Sequence, residues 1–170
     1  PPEKCPGVAS YENLGYAGLN VVNAIQSQGL SWSNNFINLM VMDYGSPAAS
    51  VCVVSAGQCE MGQSAVQAAM DLHGFYGLSY RQIELTPMIG GNDTAGEVFT
   101  LPDVQLLAQF VKANGISGVH HWSWDRDNDC ASSYASPTCN SYNQAGTLGF
   151  TNALLRALSK GESTPSAMAQ

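Results

Sequence analysis

The sequence predicts an α/β protein in which parallel strands are joined by helices. Segments with apolar residues at helical spacing alternate with short, continuously apolar segments that end in turn residues. No long linker or repeat interrupts this alternation, and hydrophobic residues make up 45% of the 170 residues, enough for a core. Such alternation is typical of parallel strands connected by crossover helices.

Four segments have the apolar spacing of helices. The third helix has the clearest ends, because Thr100 and Asp103 have the spacing of a capping box, Pro102 falls in the first turn and Asn114-Gly115 is a stop signal. The predicted helices cover residues 12–28, 61–76, 100–114 and about 148–159.

Three short apolar segments predict buried strands. They cover residues 36–42, 82–89 and 116–122, and each is followed by turn or polar residues. This order fits a small doubly wound sheet as well as three strands of a closed barrel, so the element order leaves the two open. Residues 1–160 are assigned to the folded unit, and residues 161–170 to a tail or the start of a linker.

Charge and hydropathy exclude two classes of partner. Thirteen acidic residues against six basic ones give a net charge of −7 without a basic run that follows a phosphate backbone, so we expect no nucleic-acid partner. The apolar runs are far shorter than the roughly 20 residues that span a bilayer, so we expect no membrane partner. Many Asn, Ser, Gln and Gly residues suit a neutral polar ligand such as a sugar.

The cysteines predict two short disulfides. Cys52 and Cys59 form one close pair, Cys130 and Cys139 form another, and Cys5 is left over. The alternative is reduced surface thiols, but cytosolic chains rarely place thiols in exposed loops, so a secreted or extracellular location is favoured.

Neither the cysteines nor the histidines predict a metal site or a cofactor. The spacing of the cysteines does not resemble a Cys-x-x-Cys motif. His120 and His121 are adjacent on a strand and point to opposite faces, and His73 stands alone near a helix end. We expect none of these histidines to be catalytic.

Polar and aromatic residues follow all three predicted strands, at the edge where ligands bind in barrels and open parallel sheets. They lie in Met40-Val41-Met42-Asp43-Tyr44-Gly45, in Thr86-Pro87-Met88-Ile89-Gly90-Gly91-Asn92-Asp93 and in His121-Trp122-Ser123-Trp124-Asp125-Arg126-Asp127-Asn128.

In this order and with these helices between them, the three segments resemble the sixth, seventh and eighth strands of bacterial-type chitinases of glycoside hydrolase family 18. The resemblance covers roughly residues 14–159 and includes Glu97-Val98-Phe99-Thr100-Leu101. It implies the C-terminal portion of a (β/α)8 barrel that cleaves β-1,4 links in chitin or N-acetylglucosamine oligosaccharides, with the substrate's own acetamide oxygen as nucleophile. It also implies a missing N-terminal half of the same barrel, which a chain starting at Pro1 and an odd Cys5 would fit.

The resemblance assigns catalytic roles to two residues. Asp43 would orient the acetamide and support the positively charged oxazolinium intermediate, and Tyr44 would donate a hydrogen bond near the same group. Many family members have Met-x-Tyr-Asp, whereas here Met42 precedes Asp43 and the tyrosine follows, as in a chitinase subgroup. Capping of the loop is the alternative for Asp43.

Six further residues are candidates for the sugar site or its surroundings. Met40 and Met42 share one strand face and, with Met88, are candidates for the barrel interior beneath the sugar, ordinary core packing being the alternative. Asn92 and Asp93 either contact sugar hydroxyls or close their own turn. Trp122 would be the aromatic floor of the subsite next to the cleaved bond, or else a structural Trp. Trp124 and Arg126 are assigned to building the loop.

The family's catalytic acid has no counterpart in this sequence. That acid is the Glu that ends an Asp-x-x-Asp-x-Asp-x-Glu motif on the fourth strand, and no segment here has this spacing. We therefore expect the isolated chain to be inactive. The alternatives are a lectin-like barrel that binds sugar without cleaving it and an independent small α/β domain. The isolated glutamates, none assigned to the acid's role, are Glu3, Glu12, Glu60, Glu84, Glu97 and Glu162.

Overall fold

The computed structural model describes residues 15–30, 35–132 and 135–159. Cys5, the start of the first predicted helix and the tail at residues 161–170 lie outside this range, as do Glu3, Glu12 and Glu162.

All four predicted helices are confirmed in the described residues. The capping box of α3 forms as predicted, since the Thr100 hydroxyl accepts from the Asp103 N–H and the Asp103 carboxylate accepts from the Thr100 N–H. Helix α3 ends at Gly115, whose positive φ of 70° is a left-handed conformation that glycine adopts without strain. The helices are α1 at Gly15–Ser27, α2 at Met61–Tyr76, α3 at Leu101–Asn114 and α4 at Gly149–Ser159.

The three predicted strands are parallel and adjacent in the predicted order. They are β1 at Ile37–Met40, β4 at Ile83–Thr86 and β7 at Gly118–Val119, with sheet order β1-β4-β7. Each is shorter than predicted, although an isolated parallel bridge between Met88 and Trp122 continues the pairing of β4 with β7.

Two small antiparallel hairpins, which the sequence reasoning did not predict, lie in the connections. One joins β2 at Val54–Ser55 to β3 at Gln58–Cys59, and the other joins β5 at Gly90–Gly91 to β6 at Val98–Phe99. Each hairpin follows a strand of the parallel sheet, so both lie on the side of its C-terminal ends.

The two faces of the parallel sheet differ in burial. Leu39, Val41, Ile83 and Leu85 are buried on the face that α2, α3 and α4 cover. On the opposite face Met40 is 75% exposed, and no described element covers it. Burial of one face by α2, α3 and α4, with the opposite face open in the described part of the chain, distinguishes this sheet from a doubly wound one and gives it the layering of part of a (β/α)8 barrel. Among the described helices, none is long and apolar enough to cross a membrane.

Candidate functional site at the strand ends

The candidate site is built from the segments that follow β1, β4 and β7. Residues 42–45, here called the Asp43 segment, follow β1 and contact the turn of the β5–β6 hairpin. Trp122 follows β7, and its backbone is fixed by bonds with Pro87 and Ile89 of 2.9 and 3.0 Å. The structure therefore brings Asp43 and the hairpin together and sets Trp122 beside the end of β4.

Asp43 adopts a left-handed backbone with φ of 51°, which Asp tolerates better than most residues. Its Oδ1 accepts from the backbone N–H groups of Asp93 at 2.8 Å and Thr94 at 3.2 Å. Oδ2 accepts no hydrogen bond from the residues that the structure describes, and the side chain is exposed. One oxygen thus caps the hairpin turn, while the other is available to a ligand.

Asn92 is buried and uses its whole amide within the protein. Its Nδ2 donates to the carbonyls of Met88 and Gly90, both at 3.0 Å, and its Oδ1 accepts from the Asp43 N–H at 3.2 Å. These bonds correspond to the alternative in which Asn92 closes its own turn and does not contact sugar. Asp93, by contrast, is exposed, and its backbone N–H supports Asp43.

Tyr44 is anchored by a carboxylate that the sequence reasoning had set aside. Its backbone N–H donates to Glu97 Oε2 at 3.0 Å. Its hydroxyl is buried and has no partner in the described part of the chain. Burial, reinforced by the negative charge of Glu97, raises the pKa of Tyr44 above its ordinary value, so the phenol stays neutral.

Glu97 is 2% exposed and lies between the hairpin and the Asp43 segment. Burial raises the pKa of its carboxyl; the N–H groups of Tyr44 and Gly45 oppose this, while the charge of Asp43 adds to it. The sequence contains one signal for the burial of Glu97. Residues two apart in a strand point to the same side, and Phe99, two residues after Glu97, is a large apolar residue that is buried.

The three candidate methionines lie at different depths. Met40 is on the open face of the sheet, Met42 is half-buried, and Met88 is buried at the bridge to Trp122. Met40 lies on the open face of the sheet, which would be the barrel interior. Met88, by contrast, also fits ordinary core packing.

Two tryptophans are exposed at the end of β7. Trp122 is 57% exposed and Trp124, which begins a short 3-10 turn at Trp124–Arg126, is 63% exposed. The backbone of Trp122 belongs to the strand pairing, whereas Trp124 lies beyond it. Trp122 is therefore the better supported of the two as a fixed platform.

Arg126 is 1% exposed and builds the loop, as predicted. Its guanidinium donates to the carbonyls of Ile89, Gly91 and Ser136, so it connects the loop at residues 125–146 to the hairpin. Burial lowers its pKa, while the negative charges of Asp93 and Asp43 counteract this, so a buried positive charge lies near the two carboxylates.

The same loop carries further internal supports. Asp127 accepts from the N–H groups of Phe150 and Thr151 at 3.0 and 2.8 Å and so caps α4. The carbonyl of Asn140 accepts from Gly91 at 2.7 Å.

Both predicted disulfides, Cys52–Cys59 and Cys130–Cys139, are present. The first joins β3 to the segment before β2, and the second closes the loop at residues 125–146.

The described histidines occupy three separate places. His73 contacts the carbonyl of Leu78, His120 pairs with Glu84, and His121 bonds the Thr151 hydroxyl. Within the described residues, no group of three or more His, Cys, Asp or Glu side chains is arranged to hold a metal ion.

Comparison with known proteins relates the chain to chitinases. No family model matches it. Over 121 residues, or 65% of the chain, it is 34% identical to the "Probable bifunctional chitinase/lysozyme" of Escherichia coli (strain K12), covering 13% of that protein. Over 121 residues it is also 34% identical to "Endochitinase 11" of Metarhizium anisopliae, covering 22% of it.

Solved structures agree with this at the level of the fold. The catalytic domain of the hyperthermophilic chitinase from Pyrococcus furiosus matches 92% of the chain with a TM-score of 0.65 and 24% identity. Catalytic site mutants of active domain 2 of the thermostable chitinase from the same organism, complexed with chito-oligosaccharides, match 93% of it with the same TM-score. In both cases this chain spans 50% of the solved chain, so it has half of that fold.

Proposed function

Because this chain is a homologue of chitinases and has half the fold of a chitinase catalytic domain, we propose that it forms the last three strands of a family 18 barrel. Completed by the N-terminal half, this barrel cleaves β-1,4-linked N-acetylglucosamine polymers. The observation that carries the proposal is the arrangement at the strand ends, where the open carboxylate oxygen of Asp43 and the exposed ring of Trp122 follow parallel strands of one sheet.

Asp43 orients the acetamide of the substrate. Two backbone N–H groups hold Oδ1, which restrains the carboxylate and leaves Oδ2 to the substrate. An acetamide N–H donates to this oxygen, which turns the carbonyl oxygen toward the anomeric carbon. The same negative charge stabilises the oxazolinium that forms when that oxygen attacks.

Trp122 binds the sugar ring above the end of β7. An indole face packs against the apolar face of a pyranose, and the strand pairing fixes the backbone that carries this indole. A ligand of this class is also bound by the Pyrococcus furiosus relative, whose structure was solved with chito-oligosaccharides.

Protonation of the glycosidic oxygen requires an accessible carboxylic acid, and the described glutamates do not supply one. Glu97 is buried and bonded to Tyr44, Glu84 pairs with His120, and Glu60 lies immediately before α2. We therefore assign the acid to the N-terminal half and propose that the 170-residue chain is inactive alone.

A second candidate function is sugar binding without hydrolysis, as in a lectin-like barrel. It is supported by the exposed ring of Trp122 and the open oxygen of Asp43, which would bind sugar whether or not the N-terminal half supplies an acid. The two functions are separated by measuring hydrolysis of a chromogenic chitobioside and binding of chitotriose with the completed barrel. Hydrolysis supports the chitinase, whereas binding without turnover supports the lectin.

We place the protein outside the cell. Both disulfides lie in loops of the described chain and persist only in an oxidising compartment.

A further inference from the structure

The Asp43 segment is connected to the β5–β6 hairpin at three points. The Asp43 N–H donates to Asn92, the Tyr44 N–H donates to Glu97, and the Asp43 carboxylate accepts from the turn of the hairpin. Two of the three contacts fix successive backbone N–H groups of the segment. Asp43 and Tyr44 are therefore held by the hairpin rather than by the strand that precedes them.

Glu97 lies at the base of this arrangement. Its backbone closes the hairpin turn, because its carbonyl accepts from Asn92 at 2.9 Å and its N–H donates to Thr94 at 3.2 Å. Its side chain then extends out of the hairpin to Tyr44. A buried carboxylate is costly unless it receives hydrogen bonds, so the Tyr44 N–H favours the ionised form of Glu97.

We propose that Glu97 is a positioning residue, which holds the Asp43 segment against the hairpin so that the second oxygen of Asp43 faces the site. The identity of the group that Asp43 orients rests on the proposed function, whereas the positioning of the Asp43 segment by Glu97 does not. Asp43 needs such support because its left-handed backbone is disfavoured for a residue with a side chain. Glu97 reaches Tyr44 through the protein interior and does not touch the substrate.

The charge state of Glu97 gives the contact a measurable signature. An ionised carboxylate accepts a stronger hydrogen bond from an amide than a neutral carboxyl does. Acidification through the raised pKa of Glu97 therefore weakens the bond to Tyr44. From the β2–β3 hairpin, the Gln58 side chain that lies beside Gly96 is uncharged. The charged or titratable groups around this contact are Asp43 and Tyr44 on one side and Asp93 and Arg126 on the other. Gly45 contributes only its backbone N–H.

The test is a pH titration of the ¹⁵N-labelled chain followed by NMR. In the wild type, the Tyr44 amide proton should move upfield on acidification, with a midpoint above the ordinary range for Glu. In Glu97→Gln this transition should disappear from Tyr44. Glu84→Gln, which removes a carboxylate on the open face of the sheet, should leave the transition unchanged.

A transition at Tyr44 that survives in Glu97→Gln, or its absence from the wild type, overturns the proposal. Should Glu97→Gln fail to fold, Glu97→Asp takes its place: it keeps the carboxyl but shortens the side chain, so the transition at Tyr44 should shrink or shift, and an unchanged transition overturns the proposal.

Chitotriose binding by the completed barrel separates this inference from the proposed function. Glu97→Gln should weaken binding about five- to tenfold, since a charge-assisted hydrogen bond becomes a neutral one. If the amide titration behaves as expected but wild type and variant alike fail to bind chitotriose, the proposed function fails and the positioning role stands. If both bind equally and Tyr44 does not titrate, the positioning role fails and the sugar site stands.

Discussion

Trp122 and Trp124 are exposed to similar extents, but only Trp122 has its backbone in the strand pairing. Sugar stacking requires a ring that is fixed before the ligand arrives, because ordering a mobile side chain costs entropy. We expect Trp122→Ala to weaken chitotriose binding by the completed barrel by about 1 to 3 kcal/mol, an extrapolation from aromatic contacts. Titration calorimetry measures the difference.

Trp124→Ala is the matched control, since it removes an equally exposed indole two residues along the chain. It should change the binding free energy by less than about 0.5 kcal/mol, the usual range for surface substitutions. Equal losses in the two variants would show that the site does not depend on the strand pairing of Trp122.

Among the glycines that the structure describes, Gly90 is the one at which an added side chain meets the closest contact. Its φ is 70°, and an added Cβ would lie 1.7 Å from the carbonyl oxygen of Asn140, a backbone atom in the loop at residues 125–146. Gly90→Ala should therefore lower the free energy of unfolding by about 3 kcal/mol or more, because strain and a backbone clash act together. Urea unfolding of the chain measures this loss.

Gly74→Ala is the corresponding control, because Gly74 lies within α2 and its added Cβ meets nothing within 4 Å. It should raise the free energy of unfolding by up to about 1 kcal/mol through helix propensity. An unchanged unfolding curve for Gly90→Ala would mean that the loop does not pack against the hairpin as described.

At the scale of elements, α4 depends on a cap from a distant part of the chain. The carboxylate of Asp127 accepts from two N–H groups in the first turn of α4, 23 and 24 residues further on. Asp127→Ala should cost about 1 to 2 kcal/mol in the free energy of unfolding, as for other helix caps. Asp125→Ala is the control. It removes an exposed carboxylate from the 3-10 turn just before Asp127 and should have little effect on the free energy of unfolding.

His121 links the same helix to pH. Burial lowers the pKa of His121, an effect that the charge of Asp127 partly offsets and that of His120 adds to. The unfolded chain therefore binds a proton more readily than the folded chain, and stability should fall as pH decreases below about 6.5, the value for an unfolded His. In His121→Gln, the free energy of unfolding should therefore fall less between pH 7 and pH 5 than it does in the wild type.

The half-exposed His120 provides the comparison, because it lies on the other face of the sheet and pairs with Glu84. If His120→Gln reduced the pH dependence of the free energy of unfolding and His121→Gln did not, the partly buried His121 would not be the source of that dependence.

At the scale of the whole molecule, local signals predicted the fold well. The capping box at Thr100 and the stop at Gly115 depend on residues a few positions apart, and both appear in the structure. Strand lengths were overestimated, because apolar residues after β4 and around β7 continue in the core beyond the regular hydrogen bonding. Gly90-Gly91 are among the residues after the second predicted strand, where the sequence predicts a turn, and they start a hairpin.

The long-range hydrogen bonds that hold the candidate site together could not be predicted from such local signals. Glu97 reaches Tyr44 across 53 residues, and Arg126 reaches Ile89 across 37. Such contacts depend on which loops the sheet brings together, and charged side chains are rarely as buried as these two are. Asp43 and Trp122 are candidates from the sequence because each lies at the end of an apolar segment, and their roles stay predictions.

The most demanding prediction concerns hydrolysis. Purified chain should not release chromophore from a chromogenic chitobioside, whereas the barrel completed with its N-terminal half should, because the proposed function assigns the carboxylic acid that protonates the glycosidic oxygen to that half. In that protein Asp43→Ala should reduce kcat at least about a hundredfold, since the acetamide loses both its orienting partner and the charge that stabilises the oxazolinium. Asp125→Ala, an exposed carboxylate in the loop after β7, is the matched control and should retain full turnover. Robust turnover by the 170-residue chain would mean that one of its own carboxyls is the acid, and unchanged turnover by Asp43→Ala would remove Asp43 from the mechanism.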